Sequence, residues 1–257
     1  MIQHQSETLT VFEFENLAAF PEIRHAVFAR RGGSSRGAYS SLNVSFSVGD
    51  RDAAVNKNRQ RISKYFQGDP LVFVEQVHET EVAVVEPQKR PGDGSAFSSA
   101  GRADALVTGV PGIYLVIQVA DCQAVMIYDP GKRVIANIHA GWRGSIRNII
   151  GHAIAVMQER FGACPADFQV GIGPSLGPCC AEFVNYQNEI PQDYWGFKDA
   201  SHRFDFWAIS RHQLRQAGVP AEHIRISGMC SRCHAETFFS YRAQNKTGRF
   251  AAVIGLV

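Results

Sequence analysis

Residues 113–144 read IYLVIQVADCQAVMIYDPGKRVIANIHAGWRG, and the reading of this stretch decides the fold. Residues 113–119, 124–128 and 134–138 are short, almost unbroken apolar runs rich in β-branched side chains. Turn signals bound them, Pro111-Gly112 before the first and Asp129-Pro130-Gly131 between the second and third. Runs of this length and composition predict strands buried in a sheet. Two of them end on chemistry: the first on Ala120-Asp121-Cys122, the third on His139-Ala140-Gly141-Trp142-Arg143-Gly144. A thiol and an imidazole emerging at strand ends are either metal ligands or a nucleophile and its base.

Beyond the glycines, Ile146, Ile149, Ile150, Ala153, Ile154, Met157 and Phe161 recur at i, i+3, i+4 and i+7, which predicts a helix with Gly162 at its C′ position. His139 therefore sits where a strand turns into a helix, and the first free N–H groups of that helix, with Arg143, make an anion site. Upstream, residues 8–14 predict an edge strand and 25–28 another. Residues 71–77 predict a strand ending in His78, with 82–85 as its neighbour after a short turn, and 105–107 a further strand. Residues 53–66, capped by Asp50-Arg51-Asp52 and with a basic outer face, and 206–217, ended by Gly218, predict helices. Residues 168–172, 224–226 and 250–256 complete the strands. The glycine-rich polar segment 88–102 is expected to be a loop and a lid. Strands outnumbering helices, with no repeat and no linker, imply a single α/β domain over 1–257, its sheets covered by helices.

The 257-residue chain is 45% hydrophobic and 19% charged with a formal charge of +2, a balance that fits a globular protein. There is no basic cluster interleaved with aromatics, so nucleic acid is not the expected partner. No run approaches the roughly 20 apolar residues of a membrane helix, and the N-terminus lacks a signal-peptide pattern; a cytoplasmic location and no membrane partner are expected. In a reducing compartment the six cysteines are expected as free thiols, ligands or nucleophiles. Cys179-Cys180 read as packed or site-lining. Cys230-Ser231-Arg232-Cys233-His234 fits the haem-attachment pattern without an export signal, and a lone C-x-x-C lacks the second pair of a closed zinc site. It reads as two packed thiols. The loop Arg30-Arg31-Gly32-Gly33-Ser34-Ser35-Arg36-Gly37 reads as a solvated turn or, through its guanidinium groups, an anion contact.

Gln76-Val77-His78, Ala103-Asp104-Ala105-Leu106-Val107-Thr108, Ala120-Asp121-Cys122, the HAGWRG turn at 139–144 and Gly173-Pro174-Ser175-Leu176-Gly177-Pro178-Cys179-Cys180 occur in the order and spacing of the YfiH-like proteins. Arg30 with Gly32-Gly33, Ser41-Leu42-Asn43, Asn58-Arg59 and Phe238-Phe239-Ser240-Tyr241-Arg242 extend the resemblance over nearly the whole chain. The chain departs where the family usually has glycine after the QVH histidine, here Glu79, and proline two residues after the ADC cysteine, here Ala124. That family has been labelled laccase-domain protein, polyphenol oxidase, peptidoglycan editing factor and purine nucleoside phosphorylase. The resemblance implies a layered α/β/β/α arrangement and a metal site of His78, Cys122 and His139, most often assigned as zinc. Two imidazoles and a thiolate leave tetrahedral Zn²⁺ an open fourth position, the arrangement of a catalytic site.

The implied activity is phosphorolysis of adenosine, inosine and methylthioadenosine with accompanying adenosine deamination, on a purine nucleoside and phosphate, by a monomer or homodimer. Catalytic roles fall to His78, Cys122 and His139. Arg30 and Arg143 are the expected phosphate cradle and Asn43 a polar contact. Two other enzymatic readings stand beside it: a cysteine-dependent amidase acting on peptidoglycan precursors, with Cys122 as nucleophile and His139 as base, and a copper-dependent polyphenol oxidase. The nine histidines contain none of the H-x-H pairs of multicopper oxidases, although copper competes for any Cys/His site in vitro.

Overall fold

In the computed structural model, which describes residues 1–86 and 97–257, the apolar runs become the strands of two mixed sheets. In chain order the strands are β1 (Ile2–Ser6), β2 (Leu9–Glu13), β3 (Ile23–Phe28), β4 (Leu71–Glu75), β5 (Val82–Val84), β6 (Phe97–Arg102), β7 (Ala105–Thr108), β8 (Ile113–Val119), β9 (Gln123–Asp129), β10 (Val134–Ala140), β11 (Gln169–Ile172), β12 (Ile224–Ile226) and β13 (Phe250–Leu256). The helices are α1 (Glu15–Ala18), α2 (Asp52–Tyr65), α3 (Trp142–Ile146), α4 (Ile149–Phe161), α5 (Tyr186–Glu189) and α6 (Phe206–Gln216). One sheet runs β1-β2-β3-β13-β8-β4-β6, the other β12-β11-β9-β10-β7-β5.

The near-continuous hydrophobicity of the central strands follows from burial on both faces. In β8, Leu115, Ile117 and Val119 join Ala124, Met126 and Tyr128 of β9 in the core between the sheets, whereas Tyr114 and Val116 point outward to Ile62 of α2 and Phe66. In β10, Val134, Ala136, Ile138 and Ala140 meet Ile150, Ala153, Ile154 and Met157 of α4. The alternation produces four layers, helix, sheet, sheet, helix, as the resemblance implies. Burying each Val, Leu, Ile or Met side chain among them stabilises the fold by roughly 1.5–3 kcal/mol. A polar tie joins the two sheets: the Asn137 amide of β10 donates to the carbonyls of Leu115 and Ala252, each at 2.9 Å.

Several local expectations are corrected. The segment after HAGWRG is two helices, because Asn148 adopts φ 58° and its side chain accepts the Gly151 N–H at the start of α4. Gly162 ends α4 in the left-handed conformation, as its position predicts. The outermost strand is β1, ahead of the predicted edge strand; its exposed IQHQS has little apolar alternation to read. β4 stops at Glu75, before His78. β5 pairs with β7 in the opposite sheet and is no neighbour of β4. No side-chain cap bonds the start of α2: Asp50 accepts the N–H of Arg51 and the amide of Asn43. Of the segment expected as a lid, 97–102 form β6, parallel to β4, and 88–96 lie outside the described residues.

Candidate active site

The strand parity that points Val134, Ala136, Ile138 and Ala140 at α4 turns His139 the other way, toward the opposite sheet. Antiparallel pairing sets His139 across from Ala124, two residues beyond Cys122. The chain passes from β8 of one sheet to β9 of the other through Ala120-Asp121-Cys122, with Asp121 at φ 83°. Three bonds hold Asp121 there: its carboxylate accepts from the Ser231 hydroxyl and the Arg242 N–H, each at 2.6 Å, and its carbonyl from the Leu176 N–H at 2.8 Å. His78 follows β4 in a turn at φ 63°. That turn is wound around Asp104, whose buried carboxylate accepts the N–H groups of Val77 (3.2 Å), His78 (2.9 Å) and Glu79 (2.8 Å).

Asp104 also grips His139, its Oδ1 lying 2.7 Å from Nδ1. One carboxylate thereby positions both histidines, and with Nδ1 engaged the Nε2 of His139 is free for the cluster. The His78 and His139 rings stand 87° apart with centroids 4.7 Å from each other, and His78 Nε2 lies 3.9 Å from Cys122 Sγ. One donor atom from each of His78, Cys122 and His139 falls within 4.8 Å of the others, so the three residues fit a single metal ion. Gly141 closes the cradle: a Cβ there would lie 2.9 Å from the His78 ring and 3.2 Å from Cys122 Sγ.

The charges suit a cation. Burial disfavours the Cys122 thiolate, but His139 and His78 beside it outweigh burial and bring the thiol down to about 6. Burial likewise opposes charge on His139, yet Cys122 and Asp104 lift it to about 9. Asp104 is held below the usual carboxylate range, because the His139 hydrogen bond and the Glu79 and His78 N–H groups overcome its burial. The cluster is a thiolate, two imidazole rings of which His139 carries a second proton at neutral pH, and a supporting carboxylate. A divalent ion binding there displaces the imidazole proton.

The cluster opens into a cavity of about 1070 Å³ lined on its apolar side by Phe46, Phe73, Trp142, Phe183, Phe206 and Tyr241. Four arginines, 59, 143, 242 and 249, face it against Glu75 and the already bonded Asp121. Arg143 is an exposed lining residue with its guanidinium 4.4 Å from the Trp142 ring centre. Arg59 is 7% exposed; its Nε donates to the Val44 carbonyl at 2.8 Å and its guanidinium stacks 3.7 Å from the Phe73 ring centre. Burial lowers Arg59 to about 10, so it stays cationic at neutral pH. No carboxylate pairs with it among the described residues.

The structure brings His78, Cys122, His139 and Arg143 to this cavity but not Arg30 or Asn43. Arg30 donates to the carbonyls of Ser40 (3.0 Å) and Ala235 (2.6 Å) and covers the Phe239 ring, pinning two loops together. Asn43 is fully buried; it accepts the N–H groups of Ser45 and Arg249 and donates to Asp50, thereby supporting the backbone of cavity-lining Arg249. Glu79 is exposed and serves through its backbone N–H. Asp104 and Arg59 are the residues sequence reasoning did not place in the site. The available signal was Asp104 standing immediately before an apolar run, where an unpartnered carboxylate has no place.

A four-layer α/β protein with a His/Cys/His cluster at the mouth of an arginine-rich cavity is thus the class that fold and site define. The chain belongs to the family described as multi-copper polyphenol oxidoreductase laccase, whose pattern matches residues 24–257. It is 33% identical over 239 residues to purine nucleoside phosphorylase YlmD of Geobacillus stearothermophilus, covering 88% of this chain and 87% of that protein. It is 32% identical over 263 residues to a purine nucleoside phosphorylase of Bacteroides thetaiotaomicron, covering 94% of each. The fold superposes on hypothetical protein YfiH of Bacillus licheniformis with a TM-score of 0.87 at 28% identity, over 98% of this chain and 97% of that one. It superposes equally, with a TM-score of 0.87 at 30% identity, on YlmD of G. stearothermophilus, over 99% and 98%. Among the described residues no helix is long and apolar enough to cross a membrane.

Proposed function

We propose that this chain, acting as one unit over 1–257, is a zinc-dependent purine nucleoside phosphorylase that takes adenosine, inosine and methylthioadenosine and also deaminates adenosine. The observation that carries the reading is the joining of the His78/Cys122/His139 cluster to a cavity whose arginine guanidiniums form no ion pair with a carboxylate among the described residues. Relatives named purine nucleoside phosphorylase support it. Zinc, which His78, Cys122 and His139 would hold, would supply a Lewis acid at the cavity.

The chain's own residues account for the rest. Phosphorolysis needs an anionic nucleophile held near C1′ of the ribose while the N9–C1′ bond breaks. Arg59 and Arg143 offer charge-assisted donors to phosphate, and Arg59, walled by aromatic rings, does so where water screens it least. The aromatic wall gives the purine a face on which to stack. Asp104 keeps His139 and the His78 turn fixed as charge changes nearby. A phosphate oxygen bonds to C1′, the purine departs with the bonding electrons and takes a proton, and ribose 1-phosphate remains.

Metal-replete protein incubated with inosine should release hypoxanthine and ribose 1-phosphate in equal amounts, and only when phosphate is present. Absence of base release in phosphate buffer overturns the proposal. One observation favours a second reading: Cys122, His139 and Asp104 stand in the order of a nucleophile, its base and an orienting carboxylate, the arrangement of a cysteine amidase. Mass spectrometry separates the two. A metal-covered Cys122 reacts with an electrophile only after chelation, whereas a free nucleophile reacts at once.

A further inference from the structure

Four cysteines outside the cavity meet at one point. Cys179 and Cys180 lie in the loop after β11, Cys230 and Cys233 in the segment after β12. β11 and β12 pair in parallel, Ile172 beside Ile226, so both segments leave the same end of the sheet, and a parallel bridge between Ser175 and Cys230 prolongs the pairing. The fold therefore supplies the second pair that the lone C-x-x-C lacks in the sequence.

The four Sγ atoms all lie within 4.8 Å of one another, and Cys233 is 3.6 Å from both Cys179 and Cys180. Zinc–sulfur bonds of about 2.3 Å in a tetrahedron place the sulfurs about 3.8 Å apart. None of the four is in a disulfide. Packing does not explain them, since thiols that merely fill a core are buried, and here Cys179 and Cys233 are exposed while only Cys230 is buried. The Gly177 N–H points at Cys230 Sγ from 3.3 Å, a donor that suits a ligating thiolate. Gly177 itself permits that approach, because a Cβ would strike the Trp207 ring at 2.8 Å and Cys230 Cβ at 3.1 Å.

We propose that Cys179, Cys180, Cys230 and Cys233 form a second, structural Zn²⁺ site, closed by four thiolates and separate from the open site at His78, Cys122 and His139. Its role is to staple two segments that border the cavity. Ser231, inside the C-x-x-C, donates to Asp121 Oδ1 at 2.6 Å, and Leu176, three residues before Cys179, lines the cavity and donates to the Asp121 carbonyl at 2.8 Å. Asp121 precedes Cys122, so the closed site braces the turn that presents a ligand of the open one.

The test is metal content of the full chain purified under reducing conditions without added metal. Zn²⁺ content should fall by one equivalent in C230S/C233S and by a different equivalent in C122S. After exchange with Co²⁺, C122S should retain one ion with the intense sulfur-to-metal charge-transfer absorption of a tetrathiolate. Should C230S/C233S fail to fold, the C122S cobalt spectrum still decides. A C122S protein without tightly held metal, an unchanged zinc content in C230S/C233S, or thiol titration finding the four cysteines oxidised to disulfides in the purified protein would overturn the assignment. Because C122S disables the open site, these readouts stand or fall independently of nucleoside cleavage.

Discussion

Asp104 Oδ1 lies 2.7 Å from His139 Nδ1 while the same carboxylate ties down the N–H groups of Val77, His78 and Glu79. Two histidines of the cluster, one in the turn after β4 and one on β10, thus share one support. Asp104→Asn keeps an acceptor for the turn but removes the charge that fixes the imidazole. Zinc affinity at the open site should fall about 10–100-fold, measured by competition with a chromogenic chelator. An unchanged affinity would mean that the histidines hold their geometry without Asp104.

Gly141 gives a cleaner separation of site from fold. Its φ of −72° and ψ of 165° are open to alanine, so the backbone is not strained by substitution. The added methyl would nevertheless crowd the His78 ring at 2.9 Å and Cys122 Sγ at 3.2 Å. Gly141→Ala should unfold in urea close to wild type yet lose base release by at least about tenfold, the scale on which small misplacements act. Wild-type turnover in that variant would place the reacting centre elsewhere.

Arg59 is the cation whose loss should be specific to the anion. Charge-assisted hydrogen bonds contribute about 1.5–3 kcal/mol, so Arg59→Met should raise the KM for phosphate roughly 10–100-fold with little change in the KM for inosine. Initial rates with each substrate varied in turn at saturation of the other measure this. Equal increases in both constants would indicate a structural role for Arg59.

Stability should weaken in mild acid for a reason remote from the cavity. His25 is buried and its Nε2 accepts the Phe14 N–H at 2.7 Å, and burial depresses its pKa to about 4. The unfolded chain takes up this proton near pH 6.5 and the folded chain only near 4, so the contribution is present above 6.5 and is lost as pH falls toward 4. Between pH 7 and 5 the loss is about 2 kcal/mol. Urea unfolding of wild type and His25→Gln at both values checks it: the difference between the two proteins should shrink at pH 5.

The sequence carried the layers well, because strands buried on both faces must be apolar throughout and 113–119, 124–128 and 134–138 are. It carried Cys122 and His139 as strand-end chemistry. It could not carry the positive φ of His78, in a turn whose three amides the distant Asp104 collects. Nor could it show that Arg59, on a helix read as having a basic outer face, is drawn inward between Phe46 and Phe73. Arg30 was plausible as an anion contact on its glycine-rich loop, but the loop folds back and spends its guanidinium on carbonyls. The cysteine quartet was invisible for the same reason, since its halves lie about fifty residues apart and meet only through the β11–β12 pairing.

The most direct measurement follows hypoxanthine release from inosine in phosphate by protein stripped of metal and then titrated with Zn²⁺. Activity should be absent in the stripped protein, return as zinc fills the open site, and fail to return in C122S at any zinc concentration. Full activity in stripped protein, or in C122S, would contradict a metal held by His78, Cys122 and His139 at the centre of this chemistry.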